Sequence, residues 1–119
     1  FKFFDRSDLE DGEFFFSLDE DDVQIFANED QILRFREFEA TEKLQSVILS
    51  GLYAPVVTEM VKLVFEKQDD ETDPCNELKW FRKVLHQMES LPPDKLQKHR
   101  PDITAHNLLK RPLAKLKVD

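Results

Sequence analysis

Pro55-Val56-Val57-Thr58-Glu59-Met60-Val61-Lys62-Leu63-Val64-Phe65-Glu66 is the stretch on which the fold class turns. Proline is favoured at a first helical position, because the N–H it lacks is one that a helix start leaves unused anyway. At about 100° per residue, Val56, Val57, Met60, Val61, Leu63, Val64 and Phe65 sweep an arc of roughly 200°, and Thr58, Glu59, Lys62 and Glu66 hold the remainder. So wide an apolar face predicts a central helix that touches more than one neighbour.

Upstream, Leu44, Val47, Ile48 and Leu52 keep helical spacing from a candidate cap at Thr41, and Gly51 and Pro55 punctuate the end. A second helix is therefore expected over 42–52. Downstream, Gln68 to Pro74 carries no apolar residue and reads as a solvated loop. Leu78, Phe81, Leu85 and Met88, widened by Trp80 and Val84, then predict a third helix over 75–90 that Pro92 and Pro93 stop. Pro93-Asp94 and Pro101-Asp102 each introduce a brief helix. In the tail, Lys110, Arg111, Lys115 and Lys117 alternate with Leu109, Leu113 and Leu116 around Pro112, a basic amphipathic arrangement suited to packing on the core or to contacting a partner. Two glycines against 15 leucines agree with a chain poor in tight turns and rich in helix formers. The expected class is mainly α, a compact domain of about four to six helices.

The first 40 residues admit two readings. In the helical one, which composition favours, Ser17 and Glu20 form a capping box, and Asp30/Arg34 and Glu39/Lys43 are i,i+4 ion pairs of favourable order. In the alternative, an α+β fold, Phe14-Phe15-Phe16, Val23-Gln24-Ile25-Phe26 and Leu33-Arg34-Phe35-Arg36 are strands of a short antiparallel meander, separated by the acidic turns Asp19–Asp22 and Ala27–Asp30.

At 119 residues, 40% hydrophobic and 35% charged, the chain has the size and composition of one globular domain. It divides into an acidic, Phe-rich segment (1–30), a helical core (31–91) and short Pro-punctuated helices with the basic tail (92–119). Opening at Phe1 on a half-finished aromatic cluster, it reads as a domain excised from a larger protein. Residues 1–30 hold 2 basic against 11 acidic residues, 31–89 hold 8 against 11, and 90–119 hold 7 against 3. That axis favours head-to-tail docking within the chain, or a basic partner at one end, and disfavours nucleic acid, whose phosphates the front two thirds would repel. A single cysteine, Cys75, excludes an intrachain disulfide. No stretch reaches the roughly 18 apolar residues of a membrane span, and no signal-peptide pattern opens the chain. An intracellular place, cytoplasmic or nuclear, is expected.

Catalytic chemistry finds little to build on. His86, His99 and His106, with one thiol and no CxxC or HxxxH, do not supply a zinc ligand set. Asp5, Asp8, Asp11 and Gly12 suggest a calcium loop only until the register is laid out: with Gly12 sixth, Leu9 and Leu18 fall where oxygen ligands are needed. Asp19 to Asp22 reads as a solvated charge run. Neither a GxSxG elbow nor a phosphate loop can be made from Gly12 and Gly51, which stand alone. Cys75 follows Pro74 at an expected helix start, where a helix dipole lowers a thiol pKa, but Asp69, Asp70, Glu71 and Asp73 oppose that, and it reads as a structural thiol. The expectation is a non-enzyme with no cofactor and no metal.

The aromatic-acidic front combines two properties with a joint use. Phenylalanines seated in apolar pockets supply binding energy, and carboxylates around them speed encounter and select basic partners. Asp11 to Asp30 resembles the acidic-aromatic peptides by which transcription and repair proteins bind the pleckstrin-like domain of a general transcription factor, and those by which histone chaperones cover histones. The resemblance is one of composition over this segment, and what it implies is a docking segment for a basic protein, with Phe14, Phe15, Phe16, Val23 and Phe26 as contact residues. Alternatively Phe14, Phe16, Phe26, Phe35 and Phe38 are core. Three functions follow as expectations: a non-catalytic scaffold or adaptor domain that holds a protein partner in a helix groove or on the tail; the docking segment just described; and a helical regulatory subdomain of an enzyme.

Overall fold

In the computed structural model, which describes residues 1–109, the two helices expected on either side of Pro55 are one. The helical rod Glu42–Lys67 spans 26 residues. It opens as a 3-10 turn, Glu42–Leu44, continues as α2, Gln45–Ile48, widens into a π turn, Leu49–Tyr53, and runs on as α3, Ala54–Lys67. A proline inside a regular helix removes one backbone bond and collides with the carbonyl four residues back, here that of Gly51. The π turn relieves the collision: the Ala54 N–H bonds to the Leu49 carbonyl five residues back, and the chain passes Pro55 without stopping. Pro55 was therefore a misleading start signal.

Joined, the rod is long and apolar enough to cross a membrane by length and composition, which neither expected piece was. In this fold its apolar side is core. Ile48, Leu52, Tyr53, Val56, Val57, Met60, Val61 and Val64 are buried, and α3 packs on α4, Lys79–Glu89, and α5, Pro101–Leu109. The wide arc read from the sequence is thus used internally, with Leu63 and Phe65 half-buried at its margins. Val47, expected on the inner stripe, is 48% exposed. The third helix does not begin at residue 75. Pro74–Glu77 is a 3-10 turn, Leu78 is extended, and the α-helix starts at Lys79, with Trp80, Phe81, Val84 and Met88 buried. The short helices after the prolines form as expected, a 3-10 turn at Pro93–Lys95 and α5. Buried Thr104 of α5 accepts the Gln97 N–H at 2.8 Å, which ties their connection to the core. The basic tail from Lys110 lies outside the described residues.

The front carries three short strands joined by loops, so the helical reading of its middle fails, and with it the Ser17/Glu20 capping box: Ser17 ends a strand. β1, Lys2–Asp5, β2, Phe15–Ser17, and β3, Gln24–Ala27, form one sheet in the order β1-β3-β2. The sheet is mixed rather than an antiparallel meander, because β1 runs parallel to β3 and β2 antiparallel to it. The third expected strand, Leu33–Arg36, is helix instead, lying within α1, Glu29–Ala40, which also contains the Asp30/Arg34 spacing. Thr41 breaks that helix with extended geometry, so Glu39 and Lys43 sit on either side of the break rather than on one helix. The fold class is mainly α with a short β element.

Side chains from the helices fasten the loops between strands. Asn28 caps α1 by accepting the Gln31 N–H at 2.7 Å, and its amide donates back to the Leu9 carbonyl and the Asp11 carboxylate. Gln31 in turn accepts the N–H of Gly12, whose φ of 88° is the left-handed conformation that glycine adopts without a Cβ penalty. At the other end of the sheet, Trp80 donates its indole N–H to the Leu18 carbonyl at 2.9 Å. Asp21 accepts the Lys79 N–H at 3.1 Å, supplying α4 with a cap that Leu78 has no side-chain oxygen to give.

The inner face of β3 belongs to the same core as the helices. Ile25 and Ala27 are fully buried and Val23 is 3% exposed, clustered with Leu52, Val56, Trp80 and Phe81. Ile25→Ala is expected to cost about 2–5 kcal/mol of unfolding free energy, the range for emptying a packed position. Gly51→Ala is expected to add about 0.5–1 kcal/mol, since a Cβ there meets nothing within 4 Å and the unfolded chain loses freedom. Urea unfolding of the two variants beside the parent checks both signs.

Candidate docking face on the sheet

Successive side chains of a strand point to opposite faces, so one short sheet divides the phenylalanines of the front into two sets. The register pairs Phe3 and Phe16 with Ile25, and Phe4 and Phe15 with Phe26. Because Ile25 is buried, the first set turns toward the helices. Phe3 lies 6.0 Å from the buried ring of Phe35 in α1, and the Arg36 guanidinium stands over Phe3 at 5.6 Å. Phe4, Phe26 and Phe15 form a row across all three strands on the opposite face. There Phe4 and Phe26 stack with centroids 5.5 Å apart, and Phe4 and Phe15 remain 40% and 55% exposed. Contiguous aromatic surface left toward solvent is the feature that marks interaction sites on folded proteins.

The five residues expected to contact a partner are therefore separated. Phe15 is exposed and Phe26 half-buried on the outer row. Phe16 is half-buried against the core, Phe14 meets Phe35 edge-on at 6.1 Å, and Val23 is in the core, where it offers no surface. Sequence reading missed Phe4. The available signal was the likeness of Phe3-Phe4 to Phe15-Phe16: each pair places one ring inward and one outward, from the two strands that flank β3.

The charges of the front have structural partners as well as solvent. Lys2 pairs with Asp22 at 3.0 Å, and Arg6 holds Asp8 through two contacts at 2.9 and 2.7 Å. These hydrogen bonds from the cations keep the Asp8 and Asp22 carboxyls below the usual aspartate range. Both basic residues of the front are thus engaged inside the chain, while Glu13, Asp19 and Glu20 stay exposed beside the sheet. The segment that carries the aromatic row is acidic, with 11 acidic against 2 basic residues.

Beside β1 runs an open groove of about 500 Å³, lined by Phe1, Lys2, Phe3, Phe4, Arg36, Glu39 and Tyr53. Its floor holds the ring of Phe1 against Tyr53 at 5.2 Å and the Tyr53 hydroxyl, which donates to Glu39. Burial first, and then that hydrogen bond, raise the Tyr53 pKa well above the ordinary phenol value. A second groove of about 720 Å³ separates the π turn from α5, lined by Leu49, Ala54, Thr58, Ile103, His106 and Leu109 among others. His86, His99 and His106 are all exposed. Among the described residues no three His, Cys, Asp or Glu side chains gather as a metal site. No family model matches this chain, and neither does any curated protein or solved structure.

Cys75 is half-buried in the 3-10 turn that Asp73 caps by accepting its N–H at 2.9 Å. Burial, and then the Asp73 carboxylate, push the thiol above its ordinary value. Since the thiolate is the nucleophile, Cys75 is expected to react with a disulfide reagent at neutral pH several-fold more slowly than free cysteine, and Asp73→Asn to recover part of the rate. Stopped-flow thiol titration measures both.

Proposed function

We propose that this chain is a non-catalytic protein–protein interaction domain, that its docking surface is the outer sheet face carrying Phe4, Phe26 and Phe15, and that its partner presents a basic, partly apolar surface. One observation carries this reading: the three rings stand in register on an open sheet face, inside a segment with 11 acidic and 2 basic residues. These rings are already about half covered, so burying the remainder of one contributes about 1–1.5 kcal/mol, and two or three together set a specific affinity. The carboxylates nearby act mainly on encounter and selection, since they attract lysine and arginine at a distance and penalise acidic competitors. This keeps the basic partner expected from the acidic-aromatic front but moves the contact from a flexible peptide to a preformed face, which reduces the ordering cost of association.

The helix groove considered as an alternative surface has less support, because the apolar arc of α3 is spent on α4 and α5. Core histones serve as the test ligand, with calorimetric titration as the readout. Phe15→Ala with Phe26→Ala is expected to weaken binding roughly tenfold or more, and raising salt from low to physiological strength to weaken it further. Thermal unfolding should show the double variant still folded, since neither ring is in the buried core. Binding that ignores both the substitutions and the salt would overturn the reading.

A further inference from the structure

Resting on that docking reading, we infer that the partner enters as an added strand: an extended segment of alternating apolar and basic residues pairs with the free edge of β1 and lies in the groove between β1 and α1. The sheet order leaves β1 at an end. Ladder bonds of a parallel pair fall on alternate residues of a strand. Here the Lys2 N–H bonds to the Val23 carbonyl and the Arg6 N–H to the Ala27 carbonyl, each at 2.8 Å. Phe3 and Asp5, the alternate residues, therefore aim their N–H and C=O groups away from β3, toward the groove. An exposed edge of this kind is the template that strand-addition recognition uses, main-chain bonds giving affinity and alternate side chains giving selection.

The groove fits that occupant on both faces. Inward-pointing side chains of the added strand meet the rings of Phe1, Phe3 and Tyr53, on which apolar groups of moderate size pack, beside the wall made by Arg36 and Glu39 of α1. Outward-pointing ones continue the row Phe15, Phe26, Phe4 by one strand. A lysine or arginine there lays its stem along the exposed Phe4 ring, in a segment with 11 acidic against 2 basic residues. Two side-chain cations that line the groove have contacts within the chain: Lys2 with Asp22, and Arg36 over the face of Phe3. Added this way, one segment pairs with the open edge and sets its outward side chains beside Phe4, the near end of the aromatic row.

The test uses a short capped peptide of alternating lysine and valine, titrated into the isotope-labelled chain and followed by amide resonances. The amides of Phe3 and Asp5 should shift and exchange more slowly on binding. Asp5→Pro deletes one edge donor without touching the bonds to β3, and should weaken the peptide roughly tenfold, whereas Asp5→Ala should change it by no more than about threefold. Should Asp5→Pro disturb the fold, the same peptide methylated on alternate backbone nitrogens poses the question to the intact chain and is expected not to bind. If the peptide shifts the amides of Phe4, Phe26 and Phe15 but not those of Phe3 and Asp5, and tolerates both the proline and the methylation, the edge inference is wrong and the docking face stands. No binding at millimolar peptide overturns both.

Discussion

The burial of one face of β3 governs the rest of the molecule. Ile25 and Ala27 are sealed into a core whose other walls are the rod Glu42–Lys67, α4, α5 and Phe35 of α1. A strand cannot turn one set of side chains inward without turning the other set out. Phe26 is therefore committed to the outer face, and the pairing of β1 and β2 to β3 carries Phe4 and Phe15 to the same side. The aromatic row is a geometric consequence of packing three short strands on helices, and it persists for as long as the core does.

Three strands of four or fewer residues do not hold together alone. Their connections are fastened by helix-borne groups that have few substitutes: Asn28 and Gln31 at the loop before β2, Trp80 and the N-terminus of α4 at the turn before β3. The acidic run from Asp19 takes on structural roles here. Asp21 completes the α4 terminus and Asp22 holds Lys2, leaving Asp19 and Glu20 to the solvent. Part of the negative charge of the front therefore stabilises the fold, and the remainder sets the field around the open face.

The fold class and much of the helical layout were legible because apolar side chains at helical spacing report burial directly. Val56, Met60, Val61, Phe81 and Met88 are inside, as their spacing implied. The misreadings have local physical causes. Pro55 announces a helix start in most contexts, and only a π turn around it lets the rod continue. Leu33–Arg36 alternates like a strand, yet it follows an Asn28 cap that commits the chain to a helix. Half of the candidate site was legible as composition, phenylalanine beside carboxylate. The choice of Phe15 and Phe26 over Phe14, Phe16 and Val23 was not, since side-chain parity needs a known register.

By itself the sequence determined a mainly helical chain with an acidic aromatic front, because charge and hydrophobic period are properties of residues and their spacing. Tertiary structure decided that Asp21 caps a helix 58 residues away, that β1 lies parallel to β3, and that Phe4 joins Phe26 on the open face. Those relations depend on which elements meet and in what register. Such pairings are settled by the free energy of closing one shared core, to which each local stretch contributes without encoding its partner.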